Sequence, residues 1–165
     1  MDNENIFKII RNYVSHAPVD IEGIVRDLGI ELIYTHLDPD VSGMIEKTGG
    51  DKYRISVNAL DAPVRQRFTI AHELGHFLYH RDLIGKGVDD NRVYRSVSGG
   101  KYFNEDIKEN HEIEANRFAA NVLMPKTLVD SLHAQGIIDP KELATVLKVS
   151  LPAIRIREGL SPYLE

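Results

Sequence analysis

Residues 72–76 read His-Glu-Leu-Gly-His, an H-E-x-x-H run that constrains this chain more than any other segment. On a helix, His72 and His76 are four residues apart, so their side chains project about 40° from one another and can grip a single zinc ion. Glu73 is turned about 100° from His72 and stands beside such an ion rather than on it. In a zinc hydrolase that is the place of a general base, which takes a proton from the attacking water and later hands it to the leaving amine.

The helical reading is supported by projecting residues 65–80 at about 100° per residue. Phe68, Ile70, Ala71, Leu74, Gly75, Phe77, Leu78 and Tyr79 cover one broad arc. Thr69, His72, Glu73, His76 and His80 share the other, and only Arg67 is misplaced. The predicted helix is amphipathic with a mostly titratable polar stripe. Asp61 and Pro63 supply a start, since an Asp side chain can cap free amides and proline is tolerated in the first turn. The plainer alternative is a surface helix whose polar face happens to hold three histidines.

Two histidines leave a catalytic zinc one protein ligand short. The chain has no cysteine, so the third ligand must be His, Asp or Glu. Residues 104–116 offer Glu105, Asp106, Glu109, His111, Glu112 and Glu114. A second projection, from His111 to Met124, wraps most of a helix in apolar residues and leaves a narrow solvent side carrying Glu114, Arg117 and Asn121. Glu112 falls near the middle of the apolar arc, with Asn116 one turn further on. A buried carboxylate needs a partner such as a metal, so Glu112 is the expected third ligand and Asn116 a residue that could orient a ligand histidine. Glu114 has an ordinary explanation in solvent, three residues from Arg117. If the helix frayed at its start, Glu112 would instead lie in water and meet the helix dipole.

Two segments carry a resemblance: Arg67-Phe-Thr-Ile-Ala-His-Glu-Leu-Gly-His76 and His111-Glu-Ile-Glu-Ala-Asn-Arg-Phe-Ala-Ala-Asn-Val-Leu-Met-Pro125. Together, in this order and at this separation, they resemble the ImmA/IrrE group of zinc metallopeptidases, over about residues 20–125 with a weaker echo in the tail. The resemblance implies an α+β, zincin-like fold with a small twisted sheet packed on helices. It implies one zinc per chain held by His72, His76 and a glutamate of the second helix, here Glu112, with Glu73 as catalytic base. It also implies a cytoplasmic protease of bacteria or their mobile elements, directed at a DNA-binding repressor or a stress-response regulator of the helix-turn-helix type.

At 165 residues the chain is long enough for one domain with a proper core, or for a core domain with a small appendage. We read a metallopeptidase domain over residues 1–125 and a helical, helix-turn-helix-like extension over residues 126–165. Hydrophobic content of 42% and charged content of 27% are those of a soluble globular protein. Neither a basic leader followed by an apolar stretch nor a segment of membrane-spanning length is present, which with the lack of cysteine favours the cytoplasm. A formal charge of −5 gives no general reason for nucleic-acid binding.

Residues 3–15 read as a helix with Ile6, Phe7 and Ile10 inward. A second helix follows Pro18, capped by Asp20 and stopped at Gly29. Residues 30–37 read as a strand, and residues 41–47 and 52–58 as a hairpin about Thr48-Gly49-Gly50-Asp51. An exposed strand of that sheet could hold an extended peptide by backbone hydrogen bonds. Residues 81–110 break the regular pattern, as a lid, a binding segment or a disordered loop. Tyr94, Tyr102 and His80 are alternative stabilisers of a peptide oxyanion, and the choice among them stays open.

Pro125 closes the second motif helix. In the tail, Asp139-Pro140 starts a helix through Leu147, and a second runs from about Pro152 to Glu158. The spacing is that of a helix-turn-helix, but Arg155 and Arg157 are the only basic residues of the would-be recognition helix, too few for attachment to phosphates. Three functions follow: a zinc endopeptidase, a module that grips a regulator without cutting it, and a DNA-contacting regulator. Glu73 favours the first, because a binding module has no need of a base beside the metal.

Overall fold

A computed structural model describes residues 1–85, 94–95 and 107–163, with residues 94–95 described by their backbone alone. The chain opens with α1 (Asn3–Arg11) and α2 (Ile21–Asp27), followed by β1 (Glu31–Thr35), β2 (Gly43–Gly49) and β3 (Lys52–Asn58). The motif helix α3 (Pro63–Tyr79) comes next, then a single 3-10 turn (Arg81–Leu83) and a two-residue strand, β4 (Tyr94–Arg95). The last part holds α4 (Glu109–Leu123), α5 (Lys126–Ala134), α6 (Pro140–Leu147) and α7 (Leu151–Arg157). This is the expected α+β arrangement of a small sheet packed on helices.

The sheet order is β1-β3-β2-β4. β3 pairs with β1 in parallel and with β2 in antiparallel register, as the Gly-Gly turn predicts. Central position accounts for its composition: Tyr53, Ile55, Ser56, Val57 and Asn58 are all buried, so both faces of the strand are covered. β4 adds to the outer side of β2 by pairing Arg95 with Met44 and Tyr94 with Ile45. The sequence shows no strand there, because two residues are too few to carry an alternating pattern.

α3 crosses the sheet so closely that a Cβ at Gly43 would lie 2.3 Å from Thr69 Cγ2 and 2.9 Å from the Ser56 carbonyl oxygen. Only glycine fits where the helix meets β2. On its other side α3 meets α4, and there a Cβ at Gly75 would lie 3.1 Å from Ala115 Cα and 3.2 Å from the Ala115 carbonyl oxygen. The third position of the H-E-x-x-H interior is therefore small for packing, and it brings the two helices together along the stretch that carries the site.

α3 is consequently enclosed rather than half-exposed. Thr69, His72, Glu73, His76 and His80 are as buried as Ile70, Leu74 and Leu78 on the opposite arc. The surface-helix alternative is excluded, since the polar stripe faces α4. Arg67, the misplaced cation of the projection, donates to the carbonyls of Val19 at 2.8 Å and Lys148 at 3.2 Å. It ties α3 both to the segment before α2 and to the turn between α6 and α7.

Several local expectations need correction. α1 ends at Arg11 rather than at residue 15, because Asn12 and Tyr13 donate to the carbonyls of Ile9 and Ile10, tightening the chain into turns ahead of Pro18. Phe7, expected inward, is 36% exposed. Asp61 does not cap α3: the N-cap is Ala62, without a side-chain cap bond. With Pro63 opening the helix, Asp61 sits one position before the residue whose side chain could reach the free amides. α5 was not apparent in the sequence, yet it begins directly after Pro125 and buries Leu128, Val129 and Leu132. Its apolar residues join one hydrophobic cluster with Leu74, Phe118 and Leu123, and with Leu143, Leu147 and Ile154 of α6 and α7.

α2, capped by Asp20 through the Gly23 amide, α6, capped by Asp139, and α7, capped by Ser150, start within a residue or so of their predicted positions. None of the helices among the described residues is long and apolar enough to cross a membrane.

Candidate metal centre

α3 and α4 bring His72, His76 and Glu112 to one point. The Nε2 atoms of the two histidines are 3.0 Å apart, and the Glu112 carboxylate oxygens lie 3.3 Å from His72 Nε2 and 3.2 Å from His76 Nε2. Around a tetrahedral zinc with ordinary bond lengths, neighbouring donor atoms stand about 3.3 Å apart. The three groups thus already have the spacing of a metal's ligand set, and among the described residues they form the one such group.

The orientation of His72 follows from its neighbour. His72 Nδ1 lies 2.8 Å from the Asn116 carboxamide oxygen, which can only accept, so Nδ1 carries the proton and Nε2 presents its lone pair toward Glu112. Asn116, singled out on the second motif helix, thus holds His72 in the tautomer whose lone pair is on Nε2. Lone pairs on imidazole and carboxylate held this close repel one another unless a cation sits among them, and this is the observation on which the residues fit zinc.

Charge states agree with that fit. Burial pushes His76 down to about 4 from an ordinary 6.5, and the nearby Glu112 carboxylate opposes this only in part. A neutral His76 imidazole at neutral pH is the state in which that ring can take a metal.

Glu73 is fully buried in the same stretch of α3. Glu112 is less enclosed than the sequence suggests, with its side chain 32% exposed, because it sits in the first turn of α4. That turn is nevertheless formed: His111 Nδ1 accepts from the Lys108 amide at 3.0 Å, so the fraying alternative does not hold. A polar cavity opens beside the ligands, lined by Arg65, Phe68, Thr69, His72, Glu112 and Asn116. Arg65 was missed by the motif reading. It lies seven residues before His72, on the same face of α3, and its Nε donates to Ser42 Oγ at 3.0 Å.

Two further sequence candidates fall elsewhere. His80, one of three considered for the oxyanion, does not line the cavity; its ring nitrogens meet His76 Nδ1 at 2.9 Å and Glu114 Oε2 at 2.9 Å. Glu114, read as a solvent carboxylate three residues from Arg117, is 51% exposed as expected, and it also pairs with His80, which the sequence did not show. Tyr102 and the Tyr94 side chain lie outside the described residues. In the tail, Arg155 donates to the Ser161 carbonyl and Arg157 to Asn121 Oδ1, so both arginines are engaged within the chain.

Comparison with known proteins bears on the fold and the family. No curated protein matches the chain in sequence. Among solved structures, a Mycobacterium tuberculosis transcriptional regulator has a similar fold, with a TM-score of 0.55 and 19% identity. That match covers 85% of this chain and 40% of the regulator, so the chain spans well under half of that protein's length. The family model of the IrrE N-terminal-like domain, Peptidase_M78, matches residues 25–157. With that match running across both motif helices and into α7, the chain belongs to the Peptidase_M78 family of metallopeptidase domains.

Proposed function

We propose that the protein is a zinc-dependent endopeptidase whose substrate is a DNA-binding regulator. The observation that carries this reading is the convergence of His72 Nε2, His76 Nε2 and the Glu112 carboxylate, with the buried Glu73 one residue along the same helix. His72, His76 and Glu112 would hold one zinc ion, which when bound supplies a Lewis acid for the hydrolysis of a peptide bond. Glu73 takes a proton from the attacking water at its carboxylate and delivers it to the leaving nitrogen. Asn116 keeps the His72 ring in register while this happens. The cavity beside the ligands receives the peptide, with the Arg65 guanidinium as its cationic wall.

A regulator as substrate is supported by membership of a peptidase family linked to regulators. The intramolecular bonds of Arg155 and Arg157 favour a protein partner over direct contact of α7 with nucleic acid.

The test sets metal content beside cleavage for wild type and Glu73→Gln, with the DNA-binding regulator encoded next to this protein as substrate. Stoichiometric zinc in both proteins is expected, with turnover lowered by roughly 10²- to 10⁴-fold in the variant. Zinc in both with equal turnover would remove Glu73 from the chemistry. Zinc in both with cleavage in neither would favour a module that grips the regulator without cutting it.

A further inference from the structure

His76 is supported differently from His72. Its Nδ1 faces another histidine, His80 Nδ1, at 2.9 Å, and the far nitrogen of that ring, His80 Nε2, meets Glu114 Oε2 at 2.9 Å. The proton positions along this chain follow from its end. An ionised carboxylate only accepts, so His80 Nε2 donates to Glu114; a neutral imidazole carries one proton, so His80 Nδ1 accepts; His76 Nδ1 must then donate, and its lone pair is left on Nε2, the atom 3.2 Å from Glu112. The alternative order would place the proton on His76 Nε2 and block it as a ligand.

Packing holds this order in place. His80 is 4% exposed, and its ring lies between the rings of His76 and His111, tilted by 50° and 51° to them, at centroid distances of 5.0 and 4.6 Å. His72 and His76 lie on one face of α3 and His80 follows at its C-cap, while Glu114 reaches His80 from α4 two residues after Glu112. The same pair of helices thus supplies both the metal ligands and the support behind one of them.

We infer that His80 and Glu114 are positioning residues for the metal, a two-step hydrogen-bond relay that fixes His76 in its ligand tautomer and raises the affinity of the site. This rests on the proposed zinc site, and it assigns a role to a buried histidine and an acidic residue that the peptidase mechanism leaves unused. Outer partners of ligand histidines contribute about 10- to 100-fold in metal affinity, and here that contribution is divided between two residues in series.

The test measures zinc dissociation constants of the full chain by competition with a chromophoric chelator, with the unfolding temperature of the zinc-free proteins as the check on folding. His80→Leu is expected to weaken zinc binding by roughly 10- to 100-fold. His80→Gln should restore affinity close to wild type, because its carboxamide oxygen can accept from His76 while its amino group donates to Glu114. Glu114→Leu, at a position whose side chain is 51% exposed and so tolerant of change, should weaken binding in the wild-type background and add nothing in the His80→Leu background.

Unchanged zinc affinity in His80→Leu, or additive losses for the two positions, would overturn the relay while leaving the metal site standing. If His80→Leu does not fold, Glu114→Leu alone decides: an unchanged constant overturns the relay and a weakened one supports it. A wild-type protein that binds no zinc takes down the proposed function and the relay together.

Discussion

The two helices that form the site differ in how they are held. α3 is buried on every side from Thr69 to Leu78, with the sheet against one face and α4 against another. α4 is buried only along Ala115, Phe118, Ala119, Val122 and Leu123, while Glu112 is partly exposed and Ile113 is 51% exposed. Groups on α3 are therefore fixed by packing, and those in the first turn of α4 by the hydrogen bonds they make. Part of this polar stripe is met by neighbouring side chains: His72 by Asn116, His76 by His80, and His80 in turn by Glu114.

The largest effect that tests this contrast is loss of a ligand from each helix. His76→Ala is expected to abolish stoichiometric zinc binding, since it removes a fully buried donor. Glu112→Ala should leave a weaker but measurable affinity, because a partly exposed position admits water in place of the carboxylate. Calorimetric zinc titration of both variants checks the ranking. Equal abolition would show that the first turn of α4 is as rigid a platform as α3.

Packing at the crossing can be probed without touching the metal. Gly75→Val should destabilise the zinc-free protein by about 1–3 kcal/mol, because the added carbons meet the Ala115 backbone. Ile113→Lys, on the outward face of α4, should change stability by no more than about 0.5 kcal/mol. Denaturant unfolding of the two variants sharpens the comparison, and a larger loss from Ile113→Lys would reverse it.

The smallest effect expected is on the pH dependence of the zinc-free protein. Burial lowers His76 from 6.5 to about 4, so between these values the unfolded chain binds a proton that the folded chain does not. Stability should be fully present above pH 6.5 and fall as pH drops from there toward 4, by up to a few kcal/mol. His76→Gln should flatten this part of the profile. A profile equally steep in the variant would move the titration to another group.

Much of this was legible in the residues. Side chains four apart on a helix share a face whatever the rest of the chain does, so the pairing of His72 with His76 follows from helical geometry alone. The placement of Glu112 and Asn116 toward the site was readable from their spacing on a second helix, but their burial was not: Glu112 is partly exposed, and Asn116 and Ile113 of the same apolar arc are exposed. Less was legible where an interaction crosses between elements. Glu114 looks like a solvent carboxylate on its own helix because nothing local shows that His80 arrives opposite it. Arg67 looks like an error of pattern because its partners, Val19 and Lys148, belong to distant parts of the chain. Asp61 and the end of α1 were misread at the scale of single residues, where caps and turns compete on nearly equal terms.

By itself, then, the sequence determined most of the helices, the hairpin, the H-E-x-x-H pair and the spacing of Glu112 and Asn116 one turn apart on a second helix, because all of these are periodicities within one element. Tertiary structure alone decided that the polar stripe of α3 is buried, that Gly75 and Ala115 set the approach of α4, and that His80 is joined to Glu114 behind His76. The physical reason is that a hydrogen bond or a close contact depends on the distance between two surfaces, and a chain records each surface without recording which other surface it will meet.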